Sequence, residues 1–291
     1  MLVPLRKILK QSQRGKYALG AFNTHNLEIT KGIIQGAVDA HAPIIIQVTE
    51  STINYAGLQA ITQIIKVIAN DSLTKVPIAL HLDHGKKFST VVACIKAGFS
   101  SVMIDASALS WKENVKLTKQ VVKYAHQRNV LVQAELGHIG KEGVDTRQVI
   151  LRPEKYLTNP DDAVEFVKLT HIDTLAVAIG NVHGIYKLRH GVPKIHLNRL
   201  AKIAQKVKIP FVLHGASGIS DKEIKQAIKL GVGIINIDSE LRMTFAEAIR
   251  KILRVRKQLV DPRAILLSGE RAVRERVMRK IKLFGSFNKA K

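Results

Sequence analysis

An eightfold alternation of two segment types constrains the fold of this 291-residue chain. Each unit has an apolar, often β-branched run of five to seven residues, then a polar or glycine-containing turn, and then a stretch with helical periodicity. Apolar runs of this kind are typical of strands buried on both faces, and intervening helices allow such strands to pair in parallel. Eight units predict a single α/β domain over residues 1–291, folded as a (β/α)8 TIM barrel.

The predicted elements follow from this pattern. Strands are expected at residues 17–23, 43–49, 77–83, 101–105, 131–137, 174–179, 210–214 and 233–238. Helices are expected at residues 27–40, 58–69, 89–97, 112–128, 161–170, 197–207, 221–230 and 240–258. We also expect a short N-terminal lead-in helix within residues 1–16 and an appended C-terminal helix around residues 270–283. The connection at residues 138–159 is too long for a tight turn, and loops of that length are often functional.

Composition limits the class of protein. The chain is 46% apolar, which is enough for a large core, and no apolar run approaches the roughly 20 residues of a membrane-spanning helix. We therefore expect a soluble protein without a membrane partner. Cys94 is the only cysteine, so no internal disulfide can form, and a reducing compartment such as the cytoplasm is expected.

The formal net charge of +23 favours anionic partners, which are phosphorylated metabolites, nucleic acid or an acidic surface. The cationic residues are spread along the whole chain, with a denser run over residues 250–291 that contains no nucleic-acid motif. A lysine-rich solvated surface is therefore favoured over a nucleic-acid site.

Polar residues gather at the ends of the predicted strands, which form the catalytic face of a TIM barrel. His84, His183 and His214 each precede a glycine at such an end. Three neutral imidazoles can hold Zn²⁺ and leave a fourth position open for substrate. One histidine at a strand end is more often a hydrogen-bonded structural residue, as we expect for His81, but the coincidence of three favours one metal site. The other members of this polar set are Asn23, Asp83, Asp105, Ser107, Glu135, Asn236 and Asp238.

Two further segments suit a phosphate group. Residues 215–218 (GASG) follow the seventh predicted strand, and residues 236–239 (NIDS) end the eighth strand just before a helix. Glycines expose backbone N–H groups, Ser217 and Ser239 add hydroxyl donors, and a helix N-terminus attracts anions. TIM barrels often bind phosphate between the loops after these two strands.

Seven segments together resemble the class II, zinc-dependent fructose-bisphosphate and tagatose-bisphosphate aldolases. They are GAFN (20–23), HLDHG (81–85), SVMID (101–105), AELG (134–137), AIGNVHG (178–184), LHGASG (213–218) and NIDSELR (236–242). The resemblance extends over almost the whole chain. It departs from the family pattern at Ala106, where glycine is usual, at Ser239, where threonine is common, and in the loop at residues 140–145.

The resemblance implies a role for each part of the site. Asp83 would be the acid/base that serves the aldehyde end of the cleaved bond, and His84, His183 and His214 would hold Zn²⁺. A second or displaced metal would use Asp105 and Glu135. A monovalent cation, Na⁺ or K⁺, held by backbone carbonyls is also typical of the family. The substrate-binding set would be Asn23, Gly184, Lys187, Gly215, Ala216, Ser217, Asn236, Ile237, Asp238 and Ser239.

Aldol cleavage beside a ketone leaves negative charge that zinc can stabilise as a Lewis acid, so no Schiff-base lysine is required. A second carboxylate, carried on the loop after the fifth strand in this family, has to move the proton on the nucleophilic carbon. Glu142 is the candidate for this role, with Asp145 in reserve. Closure of that loop would also exclude water from the reaction.

The expected function is therefore metal-dependent, reversible cleavage of fructose 1,6-bisphosphate into dihydroxyacetone phosphate and glyceraldehyde 3-phosphate. Two alternatives stay open at this point. One is a tagatose 1,6-bisphosphate aldolase with the same mechanism, and the other is a basic barrel with an interaction role that binds nucleic acid through residues 250–291. The appended helix and the family resemblance also favour a homo-oligomer, either a dimer or a tetramer.

Overall fold

A computed structural model describes residues 1–71, 73–137, 139, 153–184 and 194–290 of the chain. Eight strands form a closed barrel in the order of the sequence, and every neighbouring pair is parallel. This arrangement confirms the predicted TIM barrel. The strands are β1 (Leu19–Asn23), β2 (Ile44–Thr49), β3 (Ile78–Gly85), β4 (Ser101–Ile104), β5 (Leu131–Leu136), β6 (Thr174–Val177), β7 (Phe211–Leu213) and β8 (Val232–Ile237).

Eleven α-helices lie in the described part of the chain. They are α1 (Leu5–Gly15), α2 (Leu27–Asp39), α3 (Glu50–Ala56), α4 (Leu58–Ala69), α5 (Phe88–Lys96), α6 (Trp111–His126), α7 (Pro160–Thr170), α8 (Leu197–Lys206), α9 (Asp221–Lys229), α10 (Ser239–Val255) and α11 (Pro262–Phe284). The lead-in helix and the eight predicted crossover helices are all present. The appended helix begins eight residues earlier than the predicted 270–283, at Pro262 rather than residue 270. The short helix α3 and a 3-10 turn at Pro153–Lys155 were not predicted.

Polar side chains define where several helices begin. Asn26, Ser110 and Ser220 each accept a hydrogen bond from a backbone N–H in the first turn of the following helix. Ser110 and Glu113 form a reciprocal capping box at the start of α6. These bonds satisfy donors that the helix cannot satisfy internally, and each cap stabilises its helix by about 1 kcal/mol.

The two ends of the barrel interior differ in polarity. At the amino-terminal end, Leu5, Ile8 and Leu9 of α1 are buried and cluster with interior residues such as Leu19 and Ile45. Apolar side chains and α1 therefore fill this end, and the polar residues lie towards the carboxyl ends of the strands. A separate, larger apolar cluster lies between the strands and the surrounding helices.

The appended helix α11 packs against α2 through two glycines that permit a close approach. A Cβ atom added at Gly32 would lie 2.7 Å from the carbonyl oxygen of Glu270, and one at Gly36 would lie 2.8 Å from that of Arg274. Ion pairs on both sides of the contact join Lys31 to Glu270, and Asp39 to Arg274. No helix in the described ranges is long and apolar enough to cross a membrane.

Replacement of Gly32 by alanine tests this packing. Alanine favours a helix by about 1 kcal/mol relative to glycine, but a methyl group here meets a backbone oxygen, and overpacking costs about 1–3 kcal/mol. We expect Gly32→Ala to lower the free energy of unfolding in urea, whereas Gln63→Ala, on the exposed face of α4, should change it by less than about 0.5 kcal/mol. A Gly32→Ala variant as stable as the parent would contradict the close α2–α11 contact.

Candidate active site

A cavity of about 120 Å³ lies at the carboxyl ends of the strands, on the face expected for catalysis. Eleven of the predicted site residues line it, from β1, β3, β8 and the segments that follow β6, β7 and β8. They are Asn23, Asp83, His84, His183, Gly184, His214, Gly215, Ser217, Asn236, Asp238 and Ser239. Residues far apart in the chain therefore converge as the strand-end pattern predicts.

An irregularity in β3 brings Asp83 and His84 to the same cavity. Consecutive side chains of a regular strand point to opposite faces. Here the register with β4 shifts between Leu82 and Gly85, and His84 adopts a left-handed conformation with φ of 49°. A β-bulge of this kind can redirect a side chain next to a functional site.

The three predicted metal-binding histidines form a compact cluster. The ring centroid of His84 lies 5.0 Å from that of His183 and 4.6 Å from that of His214, and the last two are 5.6 Å apart. One nitrogen atom from each ring lies within 4.8 Å of the others. A second group that satisfies the same criterion contains His84, Asp105 and Glu135.

Hydrogen bonds orient two of these rings. The carboxylate of Asp105 lies 2.8 Å from Nδ1 of His84, and its other oxygen accepts a hydrogen bond from the hydroxyl of Ser107. The side-chain amide of Gln133 lies 2.7 Å from Nε2 of His214. The contact with Asp105 places the proton of His84 on Nδ1 and leaves Nε2 to face the site, as is common around metal-binding histidines. Both ring nitrogens of His214 have amide partners, because Asn236 lies 3.3 Å from its Nδ1.

The carboxylate of Asp83 is held by two amides. Asn23 donates to Oδ2 at 2.8 Å, and Asn236 donates to Oδ1 at 3.2 Å. The orientation of Asn23 is itself fixed, because Gln47 donates to its oxygen at 2.5 Å and leaves its nitrogen directed at Asp83. Gln47 is completely buried inside the barrel at β2. The acid therefore sits at the end of a chain of buried hydrogen bonds.

Burial and neighbouring charges shift the pKa values at this site. Burial raises the pKa of Asp83, with further increases from Asp238 and Asp105, while His84 and the hydrogen bond from Asn23 oppose the rise. Burial acts to lower the pKa of His84, but Asp83, Asp105 and Glu135 outweigh it and raise the value to about 9. Burial, together with His84 and His183, lowers the pKa of His214 well below its usual range and keeps that ring neutral.

Two buried groups outside the cavity have structural roles. His81 bonds to the hydroxyl of Ser101 at 2.9 Å, and burial and the nearby His84 lower its pKa to about 3. This ring is a hydrogen-bonded core residue, as expected. Burial, with a smaller effect of Glu50, raises the pKa of the Cys94 thiol to about 12, which is consistent with an inert core residue.

The predicted phosphate segments adjoin the cluster of histidines. Gly215 has a φ of 57°, and a Cβ atom there would lie 2.5 Å from the carbonyl oxygen of Val182, so only glycine fits this turn. Ser217 and Ser239 line the cavity. The side chains of Ala216 and Ile237 are instead buried in the apolar cluster outside the strands, so contact with a ligand in the cavity is open only to their backbone groups.

Three candidates lie outside the residues that the structure describes. These are Lys187, Glu142 and the reserve candidate Asp145.

Comparison with known proteins agrees with the fold. The family model for class-II fructose-bisphosphate aldolase matches residues 3–289. The chain belongs to this family. It is 41% identical to a fructose-bisphosphate aldolase of Geobacillus stearothermophilus over 99% of each chain, and 38% identical to one of Staphylococcus epidermidis over 100% of this chain and 99% of the relative. The YdjI aldolase from Escherichia coli has a TM-score of 0.87 and 34% identity, with both chains covered completely.

Membership in the class II aldolase family makes the chain a carbon–carbon lyase of carbohydrate metabolism. Several residues around the aldolase site were not singled out from the sequence: Thr49 and Arg242 line the cavity, while Gln47, Gln133 and Asn181 support the side chains or loops that do. Gln47 and Gln133 could have been noticed, because each interrupts an apolar strand with an uncharged polar residue that a barrel interior has to satisfy.

Gln47→Leu tests whether the buried amide chain supports the aldolase site. Without the donor from Gln47, Asn23 can turn its oxygen towards Asp83, which replaces an attractive contact by a repulsive one. We expect kcat for aldol cleavage to fall about tenfold, which corresponds to one hydrogen bond to a charged group. Gln35→Leu, an exposed control on α2, should leave kcat unchanged. Unchanged kcat in a folded Gln47→Leu variant would show that the orientation of Asn23 does not depend on Gln47.

Proposed function

We propose that residues 1–291 act as one metal-dependent aldolase domain that reversibly cleaves fructose 1,6-bisphosphate to dihydroxyacetone phosphate and glyceraldehyde 3-phosphate. The observation that carries the proposal is the convergence of three imidazoles and a buried, amide-held carboxylate in one cavity beside glycine and serine segments. The two relatives described above are named fructose-bisphosphate aldolase, which favours fructose over tagatose bisphosphate as the substrate.

We propose Zn²⁺ as the metal and His84, His183 and His214 as the residues that would hold it. The residues fit the ion, because three imidazoles with nitrogens within 4.8 Å of one another are a usual zinc donor set. When bound, zinc supplies Lewis-acid stabilisation of the negative charge that develops on the substrate oxygens. Asp105 and Glu135 are proposed for a second or displaced metal, and a monovalent cation near the phosphate segments is also part of the proposal.

Asp83 is the proposed acid/base. In the cleavage direction it accepts the proton of the C4 hydroxyl, and in condensation it returns that proton to the aldehyde oxygen. The N–H groups of Asn23 and Asn236 hold its two oxygens in place. Burial raises the pKa of Asp83, which makes the carboxylate a stronger base than one in water. Proton transfer to the three-carbon fragment is assigned to Glu142.

The phosphate of dihydroxyacetone phosphate is proposed to bind at the segments after β6, β7 and β8. The donors would be backbone N–H groups at Gly184, Gly215, Ala216 and Ile237, with the hydroxyls of Ser217 and Ser239. Asn23, Lys187, Asn236 and Asp238 complete the proposed substrate set. Glycine-rich turns and helix N-termini commonly bind anions, and the N-terminus of α10 lies at this position, which supports the arrangement.

We further propose a cytoplasmic homo-oligomer, either a dimer or a tetramer. The appended helix α11 supports association, because it lies outside the eight strand–helix units and offers a surface that a second subunit can contact. A single buried cysteine agrees with a reducing compartment.

Removal and return of metal test the proposed chemistry. A chelator should abolish fructose 1,6-bisphosphate cleavage, and Zn²⁺ should restore it and raise Tm, because the metal binds the folded state selectively. His183→Ala should not recover at the Zn²⁺ concentration that restores the parent. Cleavage that resists the chelator and is trapped by borohydride would instead indicate a Schiff-base enzyme.

Asp83→Ala tests the acid/base. Loss of a positioned general base lowers rates by about 10²–10⁴-fold, so we expect kcat to fall within that range. Zinc content should stay at about one ion per chain, because Asp83 is not among the proposed ligands. Asp162→Ala removes an exposed carboxylate from α7 and serves as the control. Retention of kcat in Asp83→Ala would remove this residue from the proposed role.

A further inference from the structure

Asp238 occupies a helix-capping position without capping its helix. It immediately precedes α10, yet its side chain accepts no hydrogen bond from the first turn, and its backbone has φ of −124° and ψ of −70°. At the equivalent positions of α2, α6, α9 and α11, the side chains of Asn26, Ser110, Ser220 and Asp261 all cap. Asp238 therefore forgoes a favourable local interaction that its residue type readily makes.

The carboxylate of Asp238 turns instead to two cationic or polar partners. Nε2 of His25 lies 2.9 Å from Oδ1, and the guanidinium of Arg242 lies 3.0 Å from Oδ2. Asp238 and Arg242 both line the cavity, and the side chain of Asp238 is 30% exposed. A substrate in the cavity can therefore reach this carboxylate.

His25 is held from behind by hydroxyl groups. Its Nδ1 lies 2.9 Å from Oγ1 of Thr52, which is itself buried and 3.1 Å from Oγ1 of Thr49. In the neutral ring, Thr52 donates to Nδ1 and the proton resides on Nε2; in the charged ring, both nitrogens donate. In both forms of the ring, the Nε2–H donates to the carboxylate of Asp238. The contact of Nδ1 with Thr52 therefore holds the ring in the orientation that makes this hydrogen bond.

We propose that His25 is a positioning residue of the aldolase: it holds the Asp238 carboxylate in the orientation that a hydroxylated sugar phosphate meets in the cavity. His25 acts through Asp238, and Asp83 with its two amides stays in place without it. This role depends on the proposed cleavage of fructose 1,6-bisphosphate in the same cavity. Loss of the contact should therefore weaken substrate binding more than it slows the chemical step.

Two substitutions separate the nitrogens of the ring. His25→Asn places an amide near the position of Nδ1 and loses the contact with Asp238, whereas His25→Gln places an amide N–H near the position of Nε2 and can restore it. We expect His25→Asn to raise KM for fructose 1,6-bisphosphate about tenfold, as for a lost hydrogen bond to a charged group, with kcat within about threefold of the parent. His25→Gln should return KM to within about threefold of the KM of the parent.

A double-mutant cycle and a matched histidine complete the experiment. If His25 acts through Asp238, His25→Asn should have no further effect on KM in the Asp238→Asn background. His126 makes the same type of contact, with Nε2 2.8 Å from Asp173, but lies at the end of α6 and does not line the cavity. His126→Asn should leave KM and kcat unchanged. Thermal melting of each variant confirms that it is folded.

Failure of the proposed function and failure of the proposed role of His25 give different results. Inactivity of the zinc-loaded parent towards fructose 1,6-bisphosphate would overturn the proposed function. With an active parent, the role of His25 is overturned by a parental KM in His25→Asn, by equal defects in the Asn and Gln variants, or by additive effects in the cycle. A raised KM that Gln restores and Asp238→Asn masks supports it.

Discussion

Placing Asp83 and His84 side by side in a buried strand end is the constraint on which the rest of the site depends. A charge removed from water has to be paired or hydrogen-bonded, or it changes its protonation state. Here the charges are paired and hydrogen-bonded: Asn23 and Asn236 hold the carboxylate of Asp83, and Asp105 holds the ring of His84. Those partners come from β1, β8 and the end of β4. Closure of the barrel therefore brings together the groups that stabilise Asp83 and His84 in a buried position.

In the closed barrel, the residues that stabilise the fold and the residues of the active site lie at opposite ends of the interior. The amino-terminal end is filled by apolar side chains and by α1, while the buried amides of Gln47 and Gln133 stand between that layer and the catalytic face. Each amide supports one functional group, Gln47 through Asn23 and Gln133 directly at His214. Loss of either amide would remove a buried hydrogen bond and leave its partner less firmly oriented.

Most of the fold was readable from the sequence, because hydrophobic period and strand-end polarity are both local patterns. The eight strands, the lead-in helix and the clustering of His84, His183 and His214 needed nothing more. The features that could not be predicted from the sequence depend on the backbone conformation of individual residues and on short segments. Residue type alone does not locate the left-handed backbone at His84, because histidine adopts this conformation more often than most residues but still in a minority of cases. Helix α3 has only seven residues, which is too short for a helical period to be recognised. The early start of α11 did have a signal, because Asp261 followed by Pro262 is a typical helix beginning.

The electrostatics of the cavity explain why capping by Asp238 is given up. Burial raises the pKa of Asp83, and Asp238 and Asp105 lie close enough for their charges to raise it further. Such a group of three acids repels a bisphosphate. The net charge of +23 attracts anions to the molecule as a whole, but it does not determine how a substrate meets three carboxylates. The local contacts of these carboxylates determine it. Arg242 contacts one oxygen of Asp238 and His25 contacts the other, so part of the charge of Asp238 is compensated in the absence of substrate. A carboxylate engaged in capping α10 would face its own helix, and the cavity would lose the acceptor that we propose for sugar hydroxyls and the partner of Arg242.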